Sequence, residues 1–173
     1  EIDNDLAALF GCAITTGFGV VDNNAKLRLG ESVIVFGAGG VGLNIIQACK
    51  LNSAYPIIAI DLFDNRLDLA FKLGATHIIN SRKADPIKKI DEILEGNKID
   101  VFIDNTGIPL IIEQGYELLS STGRLVLVGV PRKSSNINIF TLPLHFGKQI
   151  IGSHGGESDP HLDIPRYLKL FKN

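Results

Sequence analysis

The sequence predicts a doubly wound α/β fold: an open, parallel, six-stranded sheet with helices on both faces. Two observations carry that expectation. In residues 32–36 (SVIVF), 56–60 (PIIAI) and 124–128 (RLVLV) every residue after the first is apolar and many are β-branched, as in strands buried on both faces. Between them lie segments with apolar residues at helical spacing, and the alternation persists for more than a hundred residues. Alternation of this kind joins parallel strands by crossover helices, and the right-handed crossover rule makes a doubly wound sheet the simplest topology.

The elements follow in order. The strand at 32–36 precedes a helix over 41–51 (VGLNIIQACKL). A second strand ends at Asp61, and the helix over 65–73 stops at Gly74, placed as a C-terminal cap. A short strand over 77–79 and a helix over 86–95, closed by Gly96, come next. Residues 101–103 lead into DNTG and a helix over 110–119. Gly123 opens the strand at 124–128, residues 150–153 give the sixth strand, and 164–171 the last helix. Residues 6–21 are helical in pattern but stand outside this rhythm. The expected organisation is therefore a helical segment over 1–29, taken from a neighbouring unit, and one domain over 30–173.

Composition narrows the function classes. The chain has 173 residues, 45% hydrophobic and 21% charged, with a formal net charge of −2. That balance offers no basic footprint for nucleic acid. The longest apolar runs are too short to span a bilayer, and the opening residues lack the basic-then-apolar order of a signal peptide. Two cysteines, Cys12 and Cys49, make no disulfide framework, so a reduced, cytoplasmic setting is expected. The chain contains no Met, which points to a piece of a longer protein.

The stretch FGAGGVG, from Phe36 to Gly42, holds four glycines between the first strand and its helix. Gly37, Gly39 and Gly42 fit the spacing G-x-G-x-x-G. The first glycine serves the tight turn, the second admits a pyrophosphate to the backbone, and the third lets the helix pack on the strand. The free N–H groups and positive dipole end of the helix, near Gly40, complete an anion site. A glycine turn alone is common for structural reasons. Here Asp61 closes the second strand nineteen positions beyond Gly42, where a carboxylate meets a ribose diol and repels a 2′-phosphate. The alternative role for Asp61 is capping of the next helix. Read as a cofactor residue, it selects NAD over NADP.

Several segments together resemble the medium-chain, zinc-dependent alcohol dehydrogenases: GCAITTGFGVV (residues 11–21), VIVFGAGGVGLNIIQACK, AIDLFDNRLDLAFKLGATHIIN and GRLVLVGVP. The resemblance is collinear and covers nearly the whole chain. It implies a Rossmann domain that binds NAD, in a parent enzyme that oxidises an alcohol or polyol with zinc. In that frame Cys12 is a ligand of the catalytic zinc and Thr16 packs beside the nicotinamide. Gly37, Ala38, Gly39, Gly40, Val41 and Gly42 cradle the pyrophosphate, while Asp61 and Arg66 hold the adenosine ribose. Thr106, Val128, Gly129 and Val130 line the nicotinamide side, and Ser153 and His154 in GSHGG face it. The resemblance also implies a homodimer through an edge strand between Ile150 and Ser153. The family's other zinc ligands belong to a catalytic domain that precedes this region and is not in the sequence, so the isolated chain is expected to be inactive.

Other residues carry less. Cys49 sits mid-helix as a small core residue, and His77, His145 and His161 have no partners for chemistry in the sequence. A short-chain dehydrogenase is disfavoured because Tyr55, Tyr116 and Tyr167 are followed four positions later by Ala59, Ser120 and Phe171 rather than Lys. Two other readings remain open from sequence: a stand-alone NAD-binding or sensing module, and a methyltransferase, which also uses a glycine turn and an acidic end to the second strand.

Overall fold

A computed structural model describes residues 4–171, with the side chains of residues 5, 6 and 171 outside the description. The last two residues of the expected domain over 30–173 and the opening residues 1–3 also lie outside it. Six strands form one sheet: β1 (Val33–Phe36), β2 (Ile57–Asp61), β3 (His77–Asn80), β4 (Ile99–Asp104), β5 (Leu119–Leu127) and β6 (Gln149–Gly152). Their order is β3-β2-β1-β4-β5-β6, and every pair is parallel. Seven α-helices complete the fold: α1 (Asn4–Phe10), α2 (Ala13–Gly19), α3 (Gly40–Leu51), α4 (Asp64–Leu73), α5 (Pro86–Leu94), α6 (Pro109–Leu118) and α7 (Pro160–Phe171). The expected doubly wound sheet is what forms.

The two-residue period of β1 divides the core into two layers. Val33 and Val35 point to the face covered by α3 and α4, where Ile45, Ile46 and Leu67 pack. Ile34 and Phe36 point to the other face, against Ile90 of α5 and Ile112 and Tyr116 of α6. All four β1 residues are buried, which explains the absence of polar alternation in SVIVF. The first layer also includes Val20, Val21 and Ala25, from a π-helical turn over Val20–Ala25 that continues α2. The core therefore draws on residues from both sides of position 30.

The largest boundary differences from the sequence expectation lie in β5 and in the last helix. β5 begins at Leu119, directly after α6, and a register shift between Ile99 and Val101 admits the polar residues Ser120 to Thr122 before the main pairing resumes at Arg124. The strand then ends at Leu127, so Val128 lies outside it. The last helix begins at Pro160 rather than at residue 164, because Asp159 organises its start. The Asp159 carboxylate accepts from His161 N at 3.0 Å, and Asp159 N donates to the Asp163 carboxylate at 2.9 Å. Pro160 occupies a first-turn position that needs no N–H donor. This cap outweighs the helix-breaking signal of Pro165, which the helix contains.

Candidate functional site

The carboxyl ends of β1 and β4 diverge at the centre of the sheet, because β1 is followed by its neighbour on one side and β4 by its neighbour on the other. A crevice at such a switch point is where open α/β sheets bind ligands. Here it is a cleft of about 660 Å³ lined by the glycine turn, Asp61, Phe63, Arg66, Asn105 and Thr106 among others.

The glycine turn is tight on one side and bare on the other. Gly37 has φ +97, in the region that favours glycine, and a Cβ on Gly42 would lie 1.9 Å from the Gly37 carbonyl oxygen. No side chain fits there, so α3 can start hard against the end of β1. A Cβ on Gly39 or Gly40 would meet nothing within 4 Å. The first α-helical hydrogen bond runs from Leu43 N to Gly39 O, which leaves the N–H groups of Gly40, Val41 and Gly42 ahead of it as unpaired helix-terminal donors. Those donors and the positive end of the helix dipole suit an anion.

Asp61 is the second component. It is 6% exposed, and its Oδ2 accepts from Ala38 N at 2.8 Å while Oδ1 accepts from Leu62 N at 2.7 Å and Phe63 N at 3.0 Å. Arg66 approaches Oδ2 at 3.6 Å. Asp61 is thus not the N-cap of α4, a position held by Phe63. It ties β2 to the glycine turn. A carboxylate has about four acceptor positions, so the three N–H bonds leave roughly one, facing the cleft beside the Arg66 guanidinium. The rim is aromatic and cationic, with the Arg66 and Arg82 guanidiniums 4.9 and 4.6 Å from the centre of the Phe63 ring.

A third component follows β4. Asp104 is fully buried. Its Oδ1 accepts from Thr106 N at 3.0 Å and Thr106 Oγ1 at 2.6 Å, and its Oδ2 from Gly107 N at 2.9 Å. The Asp104 carbonyl accepts from Val128 N and Gly129 N, both at 2.9 Å. The loops after β4 and β5 touch backbone to backbone: a Cβ on Gly129 would lie 2.2 Å from Gly107 N. Asn105 joins this corner to the glycine turn, with Nδ2 3.3 Å from Gly37 O and 3.4 Å from Phe36 O.

The structure therefore brings Gly37, Gly39, Gly40, Val41, Gly42, Asp61, Arg66 and Thr106 into one cleft. Ala38 belongs to the same turn, but its side chain is buried and its N–H is given to Asp61. Val128, Gly129 and Val130 occupy the adjoining loop, with Val130 90% exposed. Ser153 and His154 follow β6: Ser153 N donates to Leu127 O at 2.9 Å, and His154 N to the Glu157 carboxylate at 3.1 Å. Thr16 is buried on α2 against the turn at Gly156, where a Cβ would lie 2.5 Å from Thr16 O. Cys12 is exposed, just before α2. Asp104, Asn105, Phe63 and Arg82 were not distinguished by sequence reasoning. The readable signal for Asp104 was an Asp ending a strand two residues before a Thr-Gly turn, the pattern of a side chain that closes its own turn.

Comparison with known proteins assigns this geometry. The description of the zinc-binding dehydrogenases matches residues 40–173. The chain belongs to the zinc-binding dehydrogenase family. Alcohol dehydrogenase-like 5 of Arabidopsis thaliana is 31% identical over 98% of this chain and 45% of its own length. The S-(hydroxymethyl)glutathione dehydrogenase of Synechocystis sp. is 33% identical over 95% of this chain and 45% of its own. The crystal structure of benzyl alcohol dehydrogenase from Acinetobacter calcoaceticus superposes with a TM-score of 0.91 at 35% identity, covering 99% of this chain and 48% of that one. The chain thus spans about half the length of the relatives it matches.

Among the described residues, no group of three or more His, Cys, Asp or Glu side chains is placed to hold a metal ion. A catalytic zinc takes about three protein ligands. The donor set among the described residues does not fit a zinc ion. No helix among the described residues is long and apolar enough to cross a membrane.

Proposed function

We propose that this chain binds NAD and forms the cofactor-binding half of a dehydrogenase that transfers hydride between an alcohol or polyol and that cofactor. The observation that carries the reading is the link from Asp61 Oδ2 to Ala38 N, 2.8 Å long. It fixes a ribose-binding carboxylate and a pyrophosphate-binding turn in one rigid unit. The N–H groups at the start of α3 hold the pyrophosphate, and the remaining acceptor position of Asp61, with Arg66, takes the adenosine ribose. A 2′-phosphate placed there meets the carboxylate, so NAD is preferred over NADP. Asp104 and the loops it joins form the floor on the nicotinamide side, with Thr106 and residues 128–130 nearest. Bound NAD supplies the hydride-accepting carbon, and the protein's part is to hold it in place. Thr16, Ser153 and His154 complete that end, and Cys12 serves as one zinc ligand in the whole enzyme, whose remaining ligands lie outside residues 1–173. Residues 1–29 form the join to that other part.

The same reading includes a homodimer built through β6, in a cytoplasmic protein. β6 pairs with β5 on one side alone among the described strands, and an open edge invites pairing. Nearby Phe140, Leu142 and Phe146 are 65%, 52% and 73% exposed, an apolar margin that an isologous contact would cover.

Calorimetric titration with NADH and, separately, with S-adenosylmethionine tests the cofactor assignment. Saturable binding of NADH with none of S-adenosylmethionine is expected; the reverse would make the glycine turn a methyl-donor site and end the dehydrogenase reading.

A further inference from the structure

The Asp61 carbonyl accepts from Ser81 N at 3.1 Å, so the loop that follows β3 starts beside the carboxylate that ends β2. Ser81 itself lines the cofactor cleft. Two side-chain bonds fasten this loop to the start of α4: Asn80 Nδ2 and Lys83 Nζ each lie 2.7 Å from the Asp64 carboxylate. Arg82 stands between them in sequence, with its guanidinium 4.6 Å from the centre of the Phe63 ring. Phe63 and Arg66 both line the cleft. The Arg66 guanidinium is 4.9 Å from the same ring centre and 3.6 Å from Asp61 Oδ2.

The three cations of this rim differ in their partners. Lys83 is ion-paired with Asp64, and Arg66 with Asp61. Asp85, three positions beyond Arg82, is turned to its own helix, where it accepts from Ile87 N at 2.9 Å. Arg82 is exposed and has no carboxylate partner among the described residues. An exposed guanidinium resting on a ring is weakly held, and a phosphate is a stronger partner, because the guanidinium fork meets its oxygens two at a time. A phosphomonoester carries about −1.5 to −2 charges near neutral pH. A 2′-phosphate on a ribose held by Asp61 therefore meets one carboxylate that three N–H groups already share, and two guanidiniums beside it. Repulsion by Asp61 is only one side of that balance.

We propose that Arg82, together with Arg66, is a second determinant of cofactor choice that acts against Asp61, so that the cleft takes NADP as a weaker alternative to NAD. The inference rests on the reading of the cleft as a dinucleotide site. NAD presents only a hydroxyl where NADP presents the phosphate, so Arg82 bears on one cofactor and not on the other. It comes from the loop after β3, outside both the glycine turn and the end of β2.

The test is calorimetric titration of the wild-type chain, Arg82→Ala and Arg82→Lys with NADH and NADPH, at about pH 7.5 and low, constant ionic strength. The wild type is expected to bind both, NADH about tenfold more tightly. Arg82→Ala is expected to weaken NADPH by about tenfold, the effect of one charge-assisted contact, and to leave NADH within about twofold. Arg82→Lys keeps the charge without the fork and is expected to fall between the two. Adenosine 2′,5′-bisphosphate and AMP repeat the comparison without the nicotinamide, and the same loss is expected for the bisphosphate alone. NADH binding with no NADPH binding in the wild type overturns the proposal and leaves the NAD reading standing. So does an Arg82→Ala variant that changes both cofactors equally or neither. Binding of neither cofactor by the wild type overturns both.

Discussion

Asp61 Oδ2 accepts the backbone N–H of Ala38 at 2.8 Å, so the carboxylate that ends β2 is fastened to the centre of the glycine turn that follows β1. These two positions are 23 residues apart in sequence. Asp61 consequently holds the turn, and in the proposed NAD complex it also presents its remaining acceptor position to the ribose. Charge-assisted hydrogen bonds of this kind contribute roughly 1.5–3 kcal/mol each.

Replacing Asp61 with Asn keeps the size but removes the charge and turns one acceptor into a donor. NAD affinity is expected to fall by about tenfold or more, since 1.4 kcal/mol corresponds to a factor of ten. NADP affinity should change less, because the repulsion of its 2′-phosphate goes at the same time. Because Ala38 N or the Leu62 and Phe63 N–H pair then faces an amide NH₂, the melting temperature should drop as well. Calorimetry with both cofactors and a thermal scan check the three outcomes together.

A buried carboxylate with three donors and no solvent is the second point of leverage. Asp104→Asn turns an acceptor of Thr106 or Gly107 into a donor facing a donor, and an unmet buried group costs about 1–3 kcal/mol. Urea denaturation is expected to show a loss of about 2 kcal/mol or more. Thr106→Val, which removes only the hydroxyl and leaves Thr106 N on Asp104, should cost less. Equal losses in the two variants would mean that the Asp104 corner does not organise the loops after β4 and β5.

The contrast between Asp61 and Asp104 shows what was legible in the sequence. The six strands, their parallel pairing and the glycine turn were readable because burial on both faces leaves an uninterrupted apolar signature, and Val33 to Phe36 carries it in four residues. Asp61 was readable because its distance from Gly42 is part of a known geometry. Its bond to Ala38 was not, since a turn that offers an N–H to a neighbouring strand leaves no mark in residue type. Asp104 and Arg82 were missed for a related reason. Each acts through a partner brought near by the sheet order: Arg82 reaches Phe63 only because β3 lies beside β2. The start of α7, expected at residue 164, lies four residues earlier at Pro160, where the Asp159 and Asp163 backbone–carboxylate bonds begin the helix.

The edge of the sheet gives a separate prediction. Phe146 is 73% exposed beside β6, and Phe146→Glu puts a charge at the proposed isologous contact. Sedimentation velocity is expected to find a dimer for the wild type and a monomer for the variant, with the same NADH affinity per chain. A wild-type monomer at micromolar concentration would contradict the edge-strand dimer.

The two cysteines should differ sharply in reactivity. Burial pushes the Cys49 thiol from its ordinary value of 9.0 up to about 12, whereas Cys12 is exposed. Only the thiolate attacks alkylating reagents, so iodoacetamide at about pH 8 is expected to label Cys12 alone, with Cys49 joining only on unfolding. Because the folded value is the higher one, the stability tied to the neutral Cys49 thiol is intact below pH 9.0 and is lost as pH rises towards about 12. Mass spectrometry of the labelled chain checks the first point, and denaturation in that alkaline window the second.

Whether the cleft at the β1–β4 switch point is the NAD site is tested by a map of backbone amide NMR shifts during titration of the wild-type chain with NADH. Saturable shifts are expected to concentrate at Gly39, Gly40, Val41 and Leu62, with smaller ones at Thr106 and Gly107. ADP-ribose is expected to reproduce the first group and not the second. The competing location is the apolar groove of about 800 Å³ between α2, α3 and α7, which Phe18, Leu43 and Tyr167 help to line. Shifts confined to those residues, with the glycine turn unmoved, would place NAD there instead.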